Sequence, residues 1–325
     1  MSDLMLAIYS DRLFMAAVGV YVLAMVLQAA GYAAGRSARA TALVGAGGPA
    51  GSGEPARSGE SSGAEPPAPA EPPAGPPVRS RAERLGRMAV ALVVLGVLLH
   101  AGSIVARGLA SGRWPLGNMY EFTSAICLFA VVGWLVALRR APGLRSIGLF
   151  VLLPVVLLMF VAGTVLYTQA APVVPALQSY WLVVHVTTIS LSSGLLLVPG
   201  VASLLYLWRR SGRGAGLAGK LPSAEALDRL AYRTTIVAFP LFTFAVITGA
   251  IWAEAAWGRF WGWDPKETVA FVSWVIYAAY LHARATAGWR TGRAAWINVA
   301  GFATIVFNLF FINMVVAGLH SYAGV

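Results

Sequence analysis

The chain has 325 residues, 58% of them apolar and only 11% charged, with a mean hydropathy of +0.71. Uncharged runs near or above membrane-span length exclude a soluble globular fold. The one cysteine, Cys127, with no C-x-x-C motif, excludes a thiol oxidoreductase and a c-type cytochrome. The net charge of +11 fits either a nucleic-acid binder or a membrane protein obeying the positive-inside rule, and the loops decide between them.

In chain order, the apolar runs predict an all-α polytopic membrane protein with eight transmembrane helices and both termini outside. Span one covers about 13–32, within an N-terminal unit 1–35, and Arg36 and Arg39 follow it as a stop-transfer signal. A linker, 36–87, comes next. Its stretch 44–78 holds nine of the 18 prolines and too little apolar surface to offset ordering entropy, so it is read as cytoplasmic and largely disordered. Residues 88–325 form a seven-helix unit.

Span two begins at about Met88. Asn118 with Glu121 reads as a capping box opening span three, about 119–138. Span four, about 146–167, contains Pro154. Span five runs from Tyr180 to Trp208 between interfacial aromatics. A short helix after Ser223, with Leu227 and Leu230 on one face, is expected before span six, about 234–252. A Trp-rich outer loop, 252–268, leads to span seven, about 268–287, and span eight covers about 294–317. This topology places 19 of the 24 Lys and Arg inside; the others are Arg12, Arg107, Arg113, Arg259 and Lys266. The split accounts for the charge without nucleic acid.

All four histidines fall in or beside the apolar spans. Ionisable groups there are usually functional. His185, five residues into span five, is roughly 7 Å deep, and His320 sits just past span eight, so the two share a level near the outer surface. His282 is roughly 20 Å deep. His100 matches it only if span two continues to about Gly112, with Arg107 snorkelling outward. The expectation is two bis-imidazole iron sites: His100 with His282 inside the membrane, His185 with His320 outside. No Cys, Asp or Glu accompanies either pair in the sequence, which disfavours a closed zinc site and favours haem.

The loop between spans six and seven reads Trp257-Gly-Arg-Phe-Trp261-Gly-Trp-Asp264-Pro-Lys-Glu267. Scattered tryptophans would be an interfacial belt. Here Trp252, Trp257, Trp261 and Trp263 cluster with four charges, a pattern suited to a flat apolar ligand with a charged rim. Arg259 and Lys266 could meet haem propionates, or pair with Asp264 and Glu267 as salt bridges of small worth. Trp257 and Trp261, four apart, would share a face if the loop were helical.

The pattern Trp257-Gly-x-x-Trp-x-Trp-Asp264-x-Lys-Glu267 resembles the tryptophan-rich (WWD) signature of the haem-handling proteins of cytochrome c biogenesis. The CcsA/ResC branch, called CcsB in some bacteria, is the nearest likeness. Pro115-Leu-Gly-Asn-Met-Tyr-Glu121 looks like that branch's Pro-Leu-Ser-Asn-x-Tyr-Glu segment, with Gly117 where Ser is usual. Ser179-Tyr-Trp-x-x-x-His185 and Leu319-His-Ser-Tyr322 are similar too. The resemblance covers about 88–325. It implies a plasma-membrane protein that takes haem b through an intramembrane bis-histidine site, matched by His100 and His282. It further implies presentation at the outer Trp-rich domain between His185 and His320. Attachment to the C-x-x-C-H motif of apocytochrome c would then proceed with a CcsB/ResB-type partner subunit, making the chain the haem-handling half of a cytochrome c synthase. The alternatives are a haem exporter loading a chaperone, a diheme b-type electron-transfer protein, which would place two histidines on one helix, and a transporter, which would carry mid-span acids.

Overall fold

The computed structural model describes residues 2–45, 80–173, 177–212, 219–286, 288–289 and 292–320. Among them are eight α-helices and no strand. They are α1 (Ser2–Gly45), α2 (Arg81–Ser111), α3 (Met119–Arg140), α4 (Gly148–Thr164, after a 3-10 turn Pro142–Ile147), α5 (Tyr180–Arg210), α6 (Ala224–Trp257), α7 (Pro265–Ala285) and α8 (Gly292–Phe307, continued by a π turn Asn308–Ile312). Seven are long and apolar enough to cross a membrane. The eighth, α7, is 21 residues long but carries Lys266, Glu267, His282 and Arg284. The protein is therefore a polytopic membrane protein, as its composition implies.

Sequence-local chemistry sets the helix ends. Ser80 and Ser223 accept from the amides of Glu83 and Ala226 through their hydroxyls. Gly112 and Gly258 close α2 and α6 in the left-handed conformation, at φ 60° and 70°. The continuation of α2 to Ser111 is as the histidine depths required. Two expected ends differ. The helix foreseen after Ser223 is not separate: it runs unbroken into span six as the 34-residue α6, with Leu227 and Leu230 buried. Asn118 caps α3 by accepting from the Glu121 amide at 2.9 Å, but the Glu121 side chain does not return to complete a box. It turns to Gly117 and two arginines instead.

Packing divides the helices into two groups joined through α3 and α5. On one side α1 lies along α2 and against α4; on the other, α6 and α8 lie against α5, and α7 packs on α6 and α8. Helix α1, expected as a separate unit, thus shares the core: Phe14 and Tyr21 are buried with Trp134, Ile147 and Leu152. Small residues set the close approaches, as is general where lipid removes the hydrophobic drive between helices. A Cβ on Gly194 of α5 would sit 2.5 Å from the Ile126 carbonyl oxygen of α3. Of the linker read over 36–87, residues 46–79 lie outside the described residues, as does Tyr322 of the terminal motif.

Arg107 does not snorkel outward. It is 3% exposed, donating to Glu121 through Nε at 2.8 Å, bonded to the Thr168 carbonyl, and 4.0 Å from Asp11. Arg113 meets the same carboxylate at 2.8 Å. Between two guanidiniums a carboxylate recovers in ion pairing what burial costs it. This cluster ties α1, α2 and α3 together at one end of the bundle and replaces the route to water that Arg107 would otherwise need.

Candidate functional site

A cavity opens among α3, α5, α6, α7 and α8 at the end of the bundle that carries the Trp-rich loop, with about 1230 Å³ of empty space including its open mouth. Met119 and Phe122 of α3, Ile189 of α5, Phe242 of α6 and Leu309 of the π turn make an apolar interior. Trp252, Trp257 and Trp261 face it as indoles. Into this space come two of the four histidines, His185 and His320.

Each imidazole is held by one nitrogen. His185 Nδ1 is 2.8 Å from the Ala245 carbonyl oxygen of α6. A carbonyl only accepts, so Nδ1 carries the proton and the neutral ring keeps Nε2 as a lone pair. His320 Nδ1 is 2.8 Å from Asp264 Oδ2, with the same consequence. Anchoring one ring nitrogen so that the other can ligate is the usual arrangement around metal-binding histidines. Gly249 makes room for the first ring: a Cβ there would stand 2.6 Å from His185 Cε1. Trp252 touches both imidazoles, stacked on His185 at 6.1 Å and 8° and tilted to His320 at 5.9 Å. Trp257 meets His320 edge-on at 5.0 Å.

The donor set suits one kind of metal centre. Among the described residues no three His, Cys, Asp or Glu gather to hold a bare ion. Two neutral imidazoles suffice only for a metal that brings its other donors, as porphyrin iron does. The indole and aliphatic walls suit the macrocycle.

Asp264 does the anchoring. It is the N-cap of α7, and Glu267 completes a capping box that the sequence reading had taken for ligand-facing or exposed charge. Burial acts to raise its carboxyl, but hydrogen bonds from His320 and from the Leu319 and Lys266 amides prevail and hold it at about 2. Burial lowers His320 below its ordinary 6.5, with the Asp264 carboxylate opposing. The ring is therefore neutral at neutral pH.

A family model described as cytochrome C assembly protein matches residues 116–320. The chain belongs to that family. It is 36% identical over 276 residues to the cytochrome c biogenesis protein CcsA of Synechococcus sp. (strain RCC307), covering 77% of this chain and 88% of the relative. The CcsA of Gloeobacter violaceus is 32% identical over 295 residues, covering 73% and 86%. That of Chlamydomonas reinhardtii is 35% identical over 255 residues, covering 75% and 71%. A role in cytochrome c maturation follows from this membership of the cytochrome c assembly family.

Within the family's matched span the expected residues separate. His185, His320, Trp257, Trp261 and Lys266 line the cavity, and Asp264 supports it from behind. Trp257 and Trp261 do so without sharing a helix, because α6 ends at Trp257. Arg259 and Trp263 are not in the wall. Arg259 is exposed and lies over Gly262, and neither it nor Lys266 forms an ion pair with Asp264 or Glu267. Trp263 is 66% exposed, packed on Trp261 and Phe271.

The intramembrane pair is not assembled. His100 is fully buried, Nε2 at 2.8 Å from Ser124 Oγ, enclosed by Phe14 and Tyr21. His282 is exposed near the C-terminal end of α7. Helix α2 packs on α1 and α3, and α7 on α6 and α8, so the two rings have no contact. Their levels differ as well: His100 is roughly 17 Å along α2 from its Ser111 end, and His282 roughly 26 Å along α7 from its Pro265 end. The sequence reading also missed Gly249, Asn308 and Asn313, which line the cavity. Only the Asn pair left a signal, as amides in an apolar span.

Proposed function

We propose that the outer cavity receives haem b between His185 and His320 and presents it for covalent attachment to the C-x-x-C-H motif of apocytochrome c, together with a CcsB/ResB-type partner subunit. The observation that carries this reading is the pair of anchored imidazoles, each with a free Nε2 at one indole-walled cavity. Haem is the substrate. Each substrate thiol adds its S–H across a vinyl C=C, forming one S–C and one C–H bond with no leaving group and no oxidant. The protein contributes position: fixed imidazoles hold the ring, and the walls keep water from it. His320 stands on the chain beyond the last helix and touches Asp264 and two indoles, so it is the ligand placed to yield to the histidine of C-x-x-C-H.

The 19-to-5 distribution of basic residues supports an orientation in the plasma membrane with the Trp-rich loop outside. His282, exposed near the end of α7 away from the Trp-rich loop, stays open to a haem at that level, whereas His100 is closed off.

The deciding experiment is the absorption spectrum of the purified full chain, made in haem-replete cells with its partner. Wild type should show six-coordinate low-spin haem, H185A and H320A should each lose it, and H100A should keep it. Colourless wild-type protein, or unchanged H185A and H320A spectra, would sink the proposal. So would a reporter fused after Trp263 that reads as cytosolic.

A further inference from the structure

The cavity wall carries two charged side chains, the cation Lys266 and the carboxylate Glu267. Lys266 stands in the first turn of α7, its Nζ 6.0 Å from the centre of the Phe122 ring and donating to Asn313 Oδ1. That acceptor is a neutral amide. The two nearest carboxylates in sequence are engaged elsewhere. Asp264 accepts from His320 and the Leu319 and Lys266 amides, and Glu267 accepts from the Gly262 and Asp264 amides. Beside the lysine, Asn308 donates to the Lys266 carbonyl at 3.2 Å and leaves its buried Oδ1 without a partner. An ammonium in an apolar wall whose acceptor carries no charge is a poorly compensated cation. It is a site for an anionic group of whatever fills the space.

Two axial imidazoles fix where an iron sits and how its ring tilts. They leave the ring free to turn about the ligand axis. A charge anchor at the ring's edge removes that freedom, and the porphyrin carries both carboxylates on one edge. We infer that Lys266, and not Arg259, receives a propionate carboxylate of haem in this cavity, and so sets which edge of the ring is turned to the incoming thiols. The inference rests on the proposed function and adds an orientation to it. Arg259, exposed and lying over Gly262, is outside the wall and has no part in the contact.

The test is a cycle between ligand and protein. Full chain purified without haem is titrated with haem and with haem dimethyl ester, whose propionates are uncharged, and affinity is read from the absorption change. Wild type should prefer haem by about tenfold or more, the scale of a charge-assisted hydrogen bond. K266M and the near-isosteric K266Q should bind both ligands alike while keeping the bis-imidazole spectrum. K266R and R259M should retain the preference. No preference in wild type, a preference that survives in both K266M and K266Q, or one lost in R259M would each overturn the inference. Failure of the cavity reading looks different: neither ligand would give a spectrum that depends on His185 and His320.

Discussion

At the scale of single residues, Asp264 holds the most in one side chain. Its two oxygens cap α7, accept the Leu319 amide at 2.7 Å and fix the His320 tautomer. Replacing it with Asn keeps the shape but removes the charge that makes the imidazole a stronger ligand. Loss of such a supporting group commonly costs about 10–100-fold in metal affinity. D264N should therefore bind haem more weakly by that factor, with low-spin absorption shifting toward a five-coordinate form, measured by titration at pH 7. The pH dependence has a defined sign. His320 binds its proton less readily folded than unfolded, so the stability it contributes is complete above 6.5 and declines as pH falls below that value. Haem occupancy in wild type should be flat from pH 8 through 6.5, because the folded ring gains its proton only in more acid solution, and should drop there, which a spectroscopic pH titration checks. Asp264 stays ionised throughout that window.

At the scale of elements, the site depends on how closely α5 and α6 approach. Gly249 on α6 leaves the volume that the His185 ring occupies, and the Ala245 carbonyl one turn earlier holds that ring. G249A should displace the imidazole without unfolding α6, since alanine favours helix by about 1 kcal/mol over glycine. Low-spin haem should fall to the level of H185A, with helix content by circular dichroism unchanged. This dependence was not readable in advance. Helical periodicity gives each residue a height, and heights alone brought His185 and His320 together correctly. The same heights suggested His100 with His282, because depth is one coordinate and says nothing of which helices are neighbours. Arg107 was misread for a related reason: Glu121 looked like half of a capping box, so its value as a counterion was invisible.

At the scale of the whole molecule, α1, α2 and α3 are joined at one end by charge as well as by the packing of Phe14 on Tyr120. Glu121, 3% exposed, lies between Arg107 and Arg113 and also accepts the Gly117 amide, in a stretch that forms part of the cavity wall. E121A would leave two guanidiniums without their carboxylate, a change that costs about 3–5 kcal/mol when the pair is buried. A lowered thermal midpoint of the purified protein, with the low-spin spectrum intact below it, is the expected outcome. The all-helical membrane plan, the Trp-rich loop and the meeting of His185 with His320 at one cavity were legible because apolar length, indole clustering and matched depth each leave a mark in sequence. The sharing of the core by α1 was not, since an apolar face reads the same against lipid as against another helix.

Trp263 has a positive φ of 58°, in the left-handed region that bulky residues seldom occupy. On either side of it, the Gly262 and Asp264 amides are both clasped by one oxygen of Glu267. Thr268 Oγ1 adds a bond to the Trp263 carbonyl at 3.3 Å. The carboxylate of Glu267 thus holds a strained turn in place beside the cavity, and a substitution there would be felt first in the backbone between α6 and α7.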